Sequence, residues 1–293
     1  MKRKNTGLNI VLHIIFILIL VLTIVPILLT FIVSFTDQSE IVNYGYQFLP
    51  KKFSLDAYRY IFGRSNDILN AYKVTIFSTV VGTVVSVLMI ALYAYPISMR
   101  HLKFRKFFTF FIFFTMLFNG GMVAWYMVVT QVLHMKNTIW ALIFPLSMNA
   151  WYVIIMRTFF QTTIHPALIE AAKIDGAGEF RIFIKIVMPL AVPGIATIAL
   201  FQTLAYWNDW WNPMLLINQK QLYNLQFYLQ VMMNNIQMMS EGNFQQREML
   251  AQNVPAETAR MALCVVAMGP ILIVYPFFQK YFIQGLTIGS VKG

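Results

Sequence analysis

The chain has 293 residues, of which 59% are apolar and 11% charged, and it carries a net charge of +11. Soluble domains are roughly 25% charged, so these figures exclude an ordinary soluble enzyme, a disordered chain and a coiled coil, and apolar runs of this length exclude an outer-membrane barrel. The fold class they indicate is all-α, a polytopic helical membrane protein, whose surplus Lys and Arg belong to cytoplasmic loops rather than to a nucleic-acid surface.

Residues 1–8, with Lys2, Arg3 and Lys4, are expected to form a short cytoplasmic N-terminus. The apolar stretch from Leu8 to Phe35 is about twice as long as a signal-peptide core of about 7–15 residues, and it lacks a small-residue cleavage site. It therefore reads as a first span, 9–35. About 20 apolar residues are needed to cross a bilayer as a helix. Five further stretches qualify or come close: 69–98, 104–130, 137–157, 187–210 and 258–281. The expected plan is a six-helix transmembrane domain over 9–281, with outer loops 36–68 and 211–257, a long inner segment 158–186, and a tail 282–293. Asn149, Pro189 and Pro193 interrupt the fourth and fifth stretches. Gly82, Ser86, Ala91 and Ala94 in the second, and Gly194, Ala196 and Ala199 in the fifth, allow close helix approach.

Orientation follows from basic residues. The 99–106 turn carries Arg100, Lys103, Arg105 and Lys106 and no acidic residue. It is assigned to the cytoplasm, which puts both termini there as well.

Every Asp, Glu, Lys and Arg falls in a loop or at a span end, with Asp209 near the outer end of the fifth span. Ion-coupled carriers keep ionisable groups at mid-depth despite a cost of about 2.5–3.5 kcal/mol each. The chain is thus expected either to be driven from outside its spans or to be passive. His13, His101, His134 and His165 are scattered, no metalloprotease, nucleophile-elbow or phosphate-loop motif occurs, and Cys264 stands alone. The expectation is a non-enzyme with no cofactor or metal of its own.

The inner segment contains "HPALIEAAKIDGAGEFRIFIKIVMPLAVPG", His165 to Gly194. Pro166 suits the first turn of a helix, Thr162 or Thr163 is a candidate cap, and Gly176 suits the left-handed position past its end. This predicts a helix of about ten residues, a "DGAG" turn, and a second helix from Glu179. The small residues Ala167, Ala171 and Ala172 make a face that fits a partner's groove; equally, this is an amphipathic surface helix with solvated charges. Near the outer end of the fifth span, "AYWNDWW" offers Trp207, Asn208 and Asp209 as substrate-path candidates, and Trp151 and Tyr152 in the fourth span are others. Aromatic rings stack on sugar faces, but they also belt membrane interfaces.

The string "EAAKIDGAGEFRIFIKIVMPLAVP" resembles the EAA motif of ABC importer permeases through Glu170, Ala171, Ala172, Asp175, Gly176, Ala177, Phe183, Ile186, Pro189 and Pro193, with Met188 where Leu is usual. "FLPKKFSLDAYRYIF", "AYWNDWWNPMLL" and "QKYFIQGLTIGSVKG" resemble the carbohydrate class, within it the second permease subunit of maltose-type importers and relatives that import oligosaccharides or polysaccharide fragments. The resemblance implies a type I ABC importer permease fold. It implies that Glu170, Ala171, Ala172, Asp175 and Gly176 dock on an ATP-binding subunit, and that the tail, with Gly285, Gly289 and Lys292, reaches the ATPase pair. ATP and Mg would bind two partner ATPase subunits. A second permease subunit and an extracytoplasmic sugar-binding protein, met by the 211–257 loop, would complete the assembly in a prokaryotic cytoplasmic membrane. A permease for peptides, phosphate or amino acids, or a passive channel, is the alternative.

Overall fold

A computed structural model describes residues 6–63, 65–241 and 255–290. Among them the regular elements are helical, and a single isolated bridge joins Thr36 to Phe53. In chain order the α-helices are α1 (Thr6–Ser34), α2 (Gln38–Tyr44), α3 (Asp56–Phe62), α4 (Ser65–Ser98), α5 (Arg105–Leu117), α6 (Gly121–Met127), α7 (Phe144–Ser147), α8 (Ala150–Thr163), α9 (Pro166–Ile174), α10 (Glu179–Ile182), α11 (Met188–Leu190), α12 (Val192–Trp207), α13 (Trp211–Leu216), α14 (Leu225–Glu241) and α15 (Ala256–Ser290).

Among the described residues two uninterrupted helices are long and apolar enough to cross a membrane, Asn9–Ser34 and Asn66–Ser98. The third, fourth and fifth apolar stretches each break into a bent pair, which raises the number to five if every pair is one span. The breaks have local causes. Between α5 and α6 the chain turns through 118° at Asn119-Gly120-Gly121. There Gly121 has φ +81, and its N–H donates to Asn119 Oδ1 at 2.9 Å. Met148 and Asn149 are extended between α7 and α8, with a 52° bend from Ile139–Ser147 to Ala150–Thr163. The Asn149 carboxamide accepts the Trp151 N–H at 2.9 Å and starts α8 anew. Before α12 a π-turn, Phe183–Val187, and the two prolines Pro189 and Pro193 accompany a 79° bend; a proline ring removes one backbone donor and crowds the preceding turn. The sixth expected stretch, 258–281, lies within α15, which continues through Pro270 and Pro276.

The chain divides into two compact units. One comprises residues 1–68 and 229–269. In it α1 is exposed along its apolar length, as befits a helix solvated by hydrocarbon. The Ser34 hydroxyl bonds the Tyr58 hydroxyl at 2.8 Å, Tyr46 donates to Glu257 Oε2 at 2.8 Å, and Gln38 Oε1 accepts the Thr258 N–H at 3.1 Å. The first joins the end of α1 to α3, and the other two tie the 36–62 segment to the start of α15.

The other unit comprises residues 69–228 and 270–293. Its core sets Ile90, Ala91, Ala94 and Tyr95 of α4 among Val153, Met156 and Phe160 of α8, with Ile182, Phe183, Val187 and Ile198. The small residues act as the sequence suggests. A Cβ on Gly82 would lie 2.5 Å from Tyr206 Cζ, and one on Gly194 would lie 2.8 Å from the Phe159 ring. The Tyr206 hydroxyl donates to the Ile143 carbonyl at 2.7 Å and meets Ser86 Oγ at 2.9 Å, so α4, α12 and the 139–143 turn share one polar node inside an apolar core.

Candidate functional site

Residues 166–182 form a helix-turn-helix standing on this core. Pro166 opens α9 at its first turn, and His165 is the residue before it, with no side-chain cap. The threonines do not cap α9, contrary to expectation. Both belong to the last turn of α8, where Thr162 Oγ1 donates back to the Thr158 carbonyl at 3.1 Å. The cap position of α9 is His165, so both threonines lie inside α8, short of the position from which a side-chain oxygen accepts the first free N–H groups of the next helix.

The "DGAG" turn is closed by backbone bonds. Gly176 N–H donates to Lys173 O at 3.0 Å and Ala177 N–H to Ala172 O at 2.9 Å, with Gly176 at φ +77. A Cβ at Gly176 would meet nothing within 4 Å, so glycine is required there by backbone conformation alone. Lys173 Nζ pairs with Glu179 Oε1 at 2.5 Å across the turn. The pair is exposed and contributes at most about 1 kcal/mol.

Rigidity comes from below. Ala172 is buried, Ile169 and Ala177 pack on the same core, and Ile182 is inaccessible to solvent. The Tyr95 ring lies 5.2 Å from Phe183 and 6.1 Å from Phe160, joining the end of α4 to both helices that flank α9. The opposite face is open. Glu170, Ala171, Asp175 and Gly176 are exposed, and with them Leu168, Ile174 at 87% and Phe180 at 70%. The sequence reading passed over Phe180; its signal is an aromatic residue inside a polar turn region, beside Glu179. Exposed apolar side chains clustered on one projecting element mark a surface that another molecule covers. Glu170 also borders a cavity of about 670 Å³ with Lys173, Arg100, His101 and Gln161.

The path candidates are placed differently from one another. Trp151 is exposed in the first turn of α8, while the Tyr152 ring stacks on Phe201 at 5.9 Å and 14°. Trp207 is buried. Asn208 is exposed, with its amide donating to the Leu204 carbonyl at 2.9 Å. Asp209 is buried and holds the next segment: its carboxylate accepts the Asn212 N–H at 3.1 Å and Asn212 Nδ2 at 2.9 Å, and its carbonyl accepts the Asn224 amide. Gly285 and Gly289 lie in the last turns of α15; Lys292, residues 1–5 and residues 242–254 of the outer loop lie outside the described residues.

Comparison with known proteins bears on this arrangement. The family model described as "Binding-protein-dependent transport system inner membrane component" matches residues 68–288. The chain is 40% identical over 293 residues to the polygalacturonan/rhamnogalacturonan transport system permease protein YtcP of Bacillus subtilis (strain 168), covering 99% of this chain and all of that one. It is 28% identical over 302 residues to the arabinooligosaccharides transport system permease protein AraQ of Halalkalibacterium halodurans, each covered in full. Among solved structures, a chain of a bacterial ABC transporter involved in the import of the acidic polysaccharide alginate superimposes with a TM-score of 0.82 at 30% identity, covering 96% of this chain and 99% of that one.

Proposed function

The chain belongs to the family of binding-protein-dependent transport system inner membrane components, and from that premise we propose that it is the permease subunit of an ATP-driven importer of oligosaccharides or polysaccharide fragments. The observation that carries the reading is α9. It is a short helix braced on the core by Ala172 and Ile169, with Glu170, Ala171 and Ile174 facing outward. A helix so held transmits a push without bending, because its inner face belongs to a close-packed core. The carbohydrate names of the relatives favour sugar over peptide, phosphate or amino acid cargo.

In this reading one of two ATP-binding subunits, which carry ATP and Mg, grips the exposed Glu170, Ala171, Asp175 and Gly176, while Ala172, expected among the docking residues, is buried and braces the helix from inside, and the 282–293 tail lies near the ATPase pair. A second permease subunit completes the path, and an extracytoplasmic binding protein delivers the sugar to the 211–257 loop. Six spans, with both termini cytoplasmic, fit the bent pairs counted as one span each and α15 as the last. Tyr152 and Asn208 are the path residues this geometry favours, since Trp151 faces the apolar groove along α5 and Asp209 is occupied in holding Asn212 and Asn224. Alternating access then follows from rocking of the core around the fixed spans, driven at α9.

Proteoliposomes holding the assembled importer test this. Uptake of an oligogalacturonate or arabino-oligosaccharide should require both internal ATP and the binding protein. Uptake down a gradient without either would make the chain a channel.

A further inference from the structure

The 99–106 turn, α5 along its length and the first half of α8 line a second cavity, of about 970 Å³. Arg100, Lys103, Arg105, Lys106 and Arg157 line one end of it, and among the described residues no carboxylate lines it. Among the described residues none of these five forms an ion pair with an acid. Arg105 and Arg157 each spend their Nε–H on the Ile97 carbonyl.

Away from this charged end the wall is apolar. Lys106, Thr109, Phe110, Phe113 and Met116 recur along α5 with the spacing of one helix face. At about 1.5 Å per residue, that face carries the groove about 16 Å from Arg105 to Met116. Trp151 and Ile154 of α8 form its other side. The Thr109 hydroxyl is buried there with no hydrogen-bond partner among the described residues.

From this layout we propose that the cavity binds an anionic phospholipid of the leaflet at that end of α5. The headgroup phosphate sits among Arg100, Lys106 and the free guanidinium edges of Arg105 and Arg157, and one acyl chain lies along Phe110, Phe113 and Met116. Basic pockets between spans at the membrane surface recognise anionic headgroups through such charges. Charge complementarity selects an anion, and the long apolar wall selects one that carries a hydrocarbon tail. A sugar fragment fits poorly: beyond the cations the wall offers only the Thr109 hydroxyl and the Trp151 ring, so its hydroxyls would be buried without partners.

The test uses the complete importer in phosphatidylcholine nanodiscs doped with photoactivatable phosphatidylglycerol or photoactivatable phosphatidylcholine. Phosphatidylglycerol should label the peptide 105–117, and excess inorganic phosphate should leave that label in place. The Arg100→Gln/Lys106→Gln variant should lose about tenfold of the labelling, whereas Arg100→Lys should retain it. Equal labelling by both lipids overturns the proposal, as does labelling indifferent to the loss of charge. Displacement of the label by an oligogalacturonate would assign the cavity to cargo. Absence of label with Lys106 cross-linked to the second permease would assign it to that subunit. Either result also overturns the lipid site.

Discussion

Arg105 of α5 and Arg157 of α8 donate to the same acceptor, the carbonyl oxygen of Ile97, each through Nε at 3.1 Å. Gln161 adds a bond to the Ser98 carbonyl at 3.1 Å. The last carbonyls of a helix have no partner within it, and its C-terminus carries partial negative charge. Three side chains from two other helices thus terminate α4. Because one oxygen has two donors, either arginine alone keeps it satisfied. Arg105→Met or Arg157→Met should each lower stability by less than about 1 kcal/mol, and the double variant by about 1–3 kcal/mol, since only then is a buried carbonyl orphaned. Thermal unfolding of the purified complex measures this through a double-mutant cycle; simple additivity would remove the shared-acceptor account.

Gly82 should tolerate no larger residue. The Tyr206 ring that a Cβ would strike is held at its hydroxyl by Ile143 and Ser86 and has little room to move. Gly82→Ala should destabilise by about 1–3 kcal/mol. Gly82→Ala combined with Tyr206→Leu should recover part of that loss, which a comparison of melting temperatures would reveal.

The two glycines of the "DGAG" turn should respond differently. Gly176 has φ +77 and Gly178 has φ −71, while both face open space. Gly176→Ala should cost about 1–2 kcal/mol through left-handed backbone strain, and Gly176→Asn less. Gly178→Ala should be close to neutral. The readouts are stability together with transport per ATP hydrolysed.

The exposed apolar residues Ile174, at the end of α9, and Phe180, in α10, extend the expected docking surface. Ile174→Asp and Phe180→Ser should leave the permease folded, since both side chains are largely in solvent. Each should weaken capture of the ATP-binding subunit in a pull-down by about tenfold, as buried interface anchors do. Lys173→Ala, which removes only an exposed ion pair, should change capture far less.

What the sequence made legible was α9 and the turn that follows it. Proline at its first turn and glycine past its end each have a local physical requirement, and both landed as expected. The small residues were legible for the same reason, since only a missing side chain lets Tyr206 and Phe159 approach so closely. The threonine cap was misplaced because α8 continues to Thr163, a boundary that depends on packing rather than on the residue itself. The bend at Gly121 was missed: apolar composition reports that 104–130 belongs in a membrane but not that an Asn-Gly-Gly sequence turns it through 118°. Asp209 read as a polar group near a sugar path. Its bonds to Asn212 and Asn224 join residues up to fifteen positions apart, and periodicity carries no trace of them.

The account rests on α9 as the point where an outside motor moves the permease. Replacing Ala171 with Trp alters an exposed position on that helix and leaves the core untouched. In proteoliposomes containing the full importer, this variant should lose at least about tenfold of its sugar uptake, together with substrate-stimulated ATP hydrolysis, while the permease pair still assembles. Full uptake and full stimulation with tryptophan at that position would contradict it.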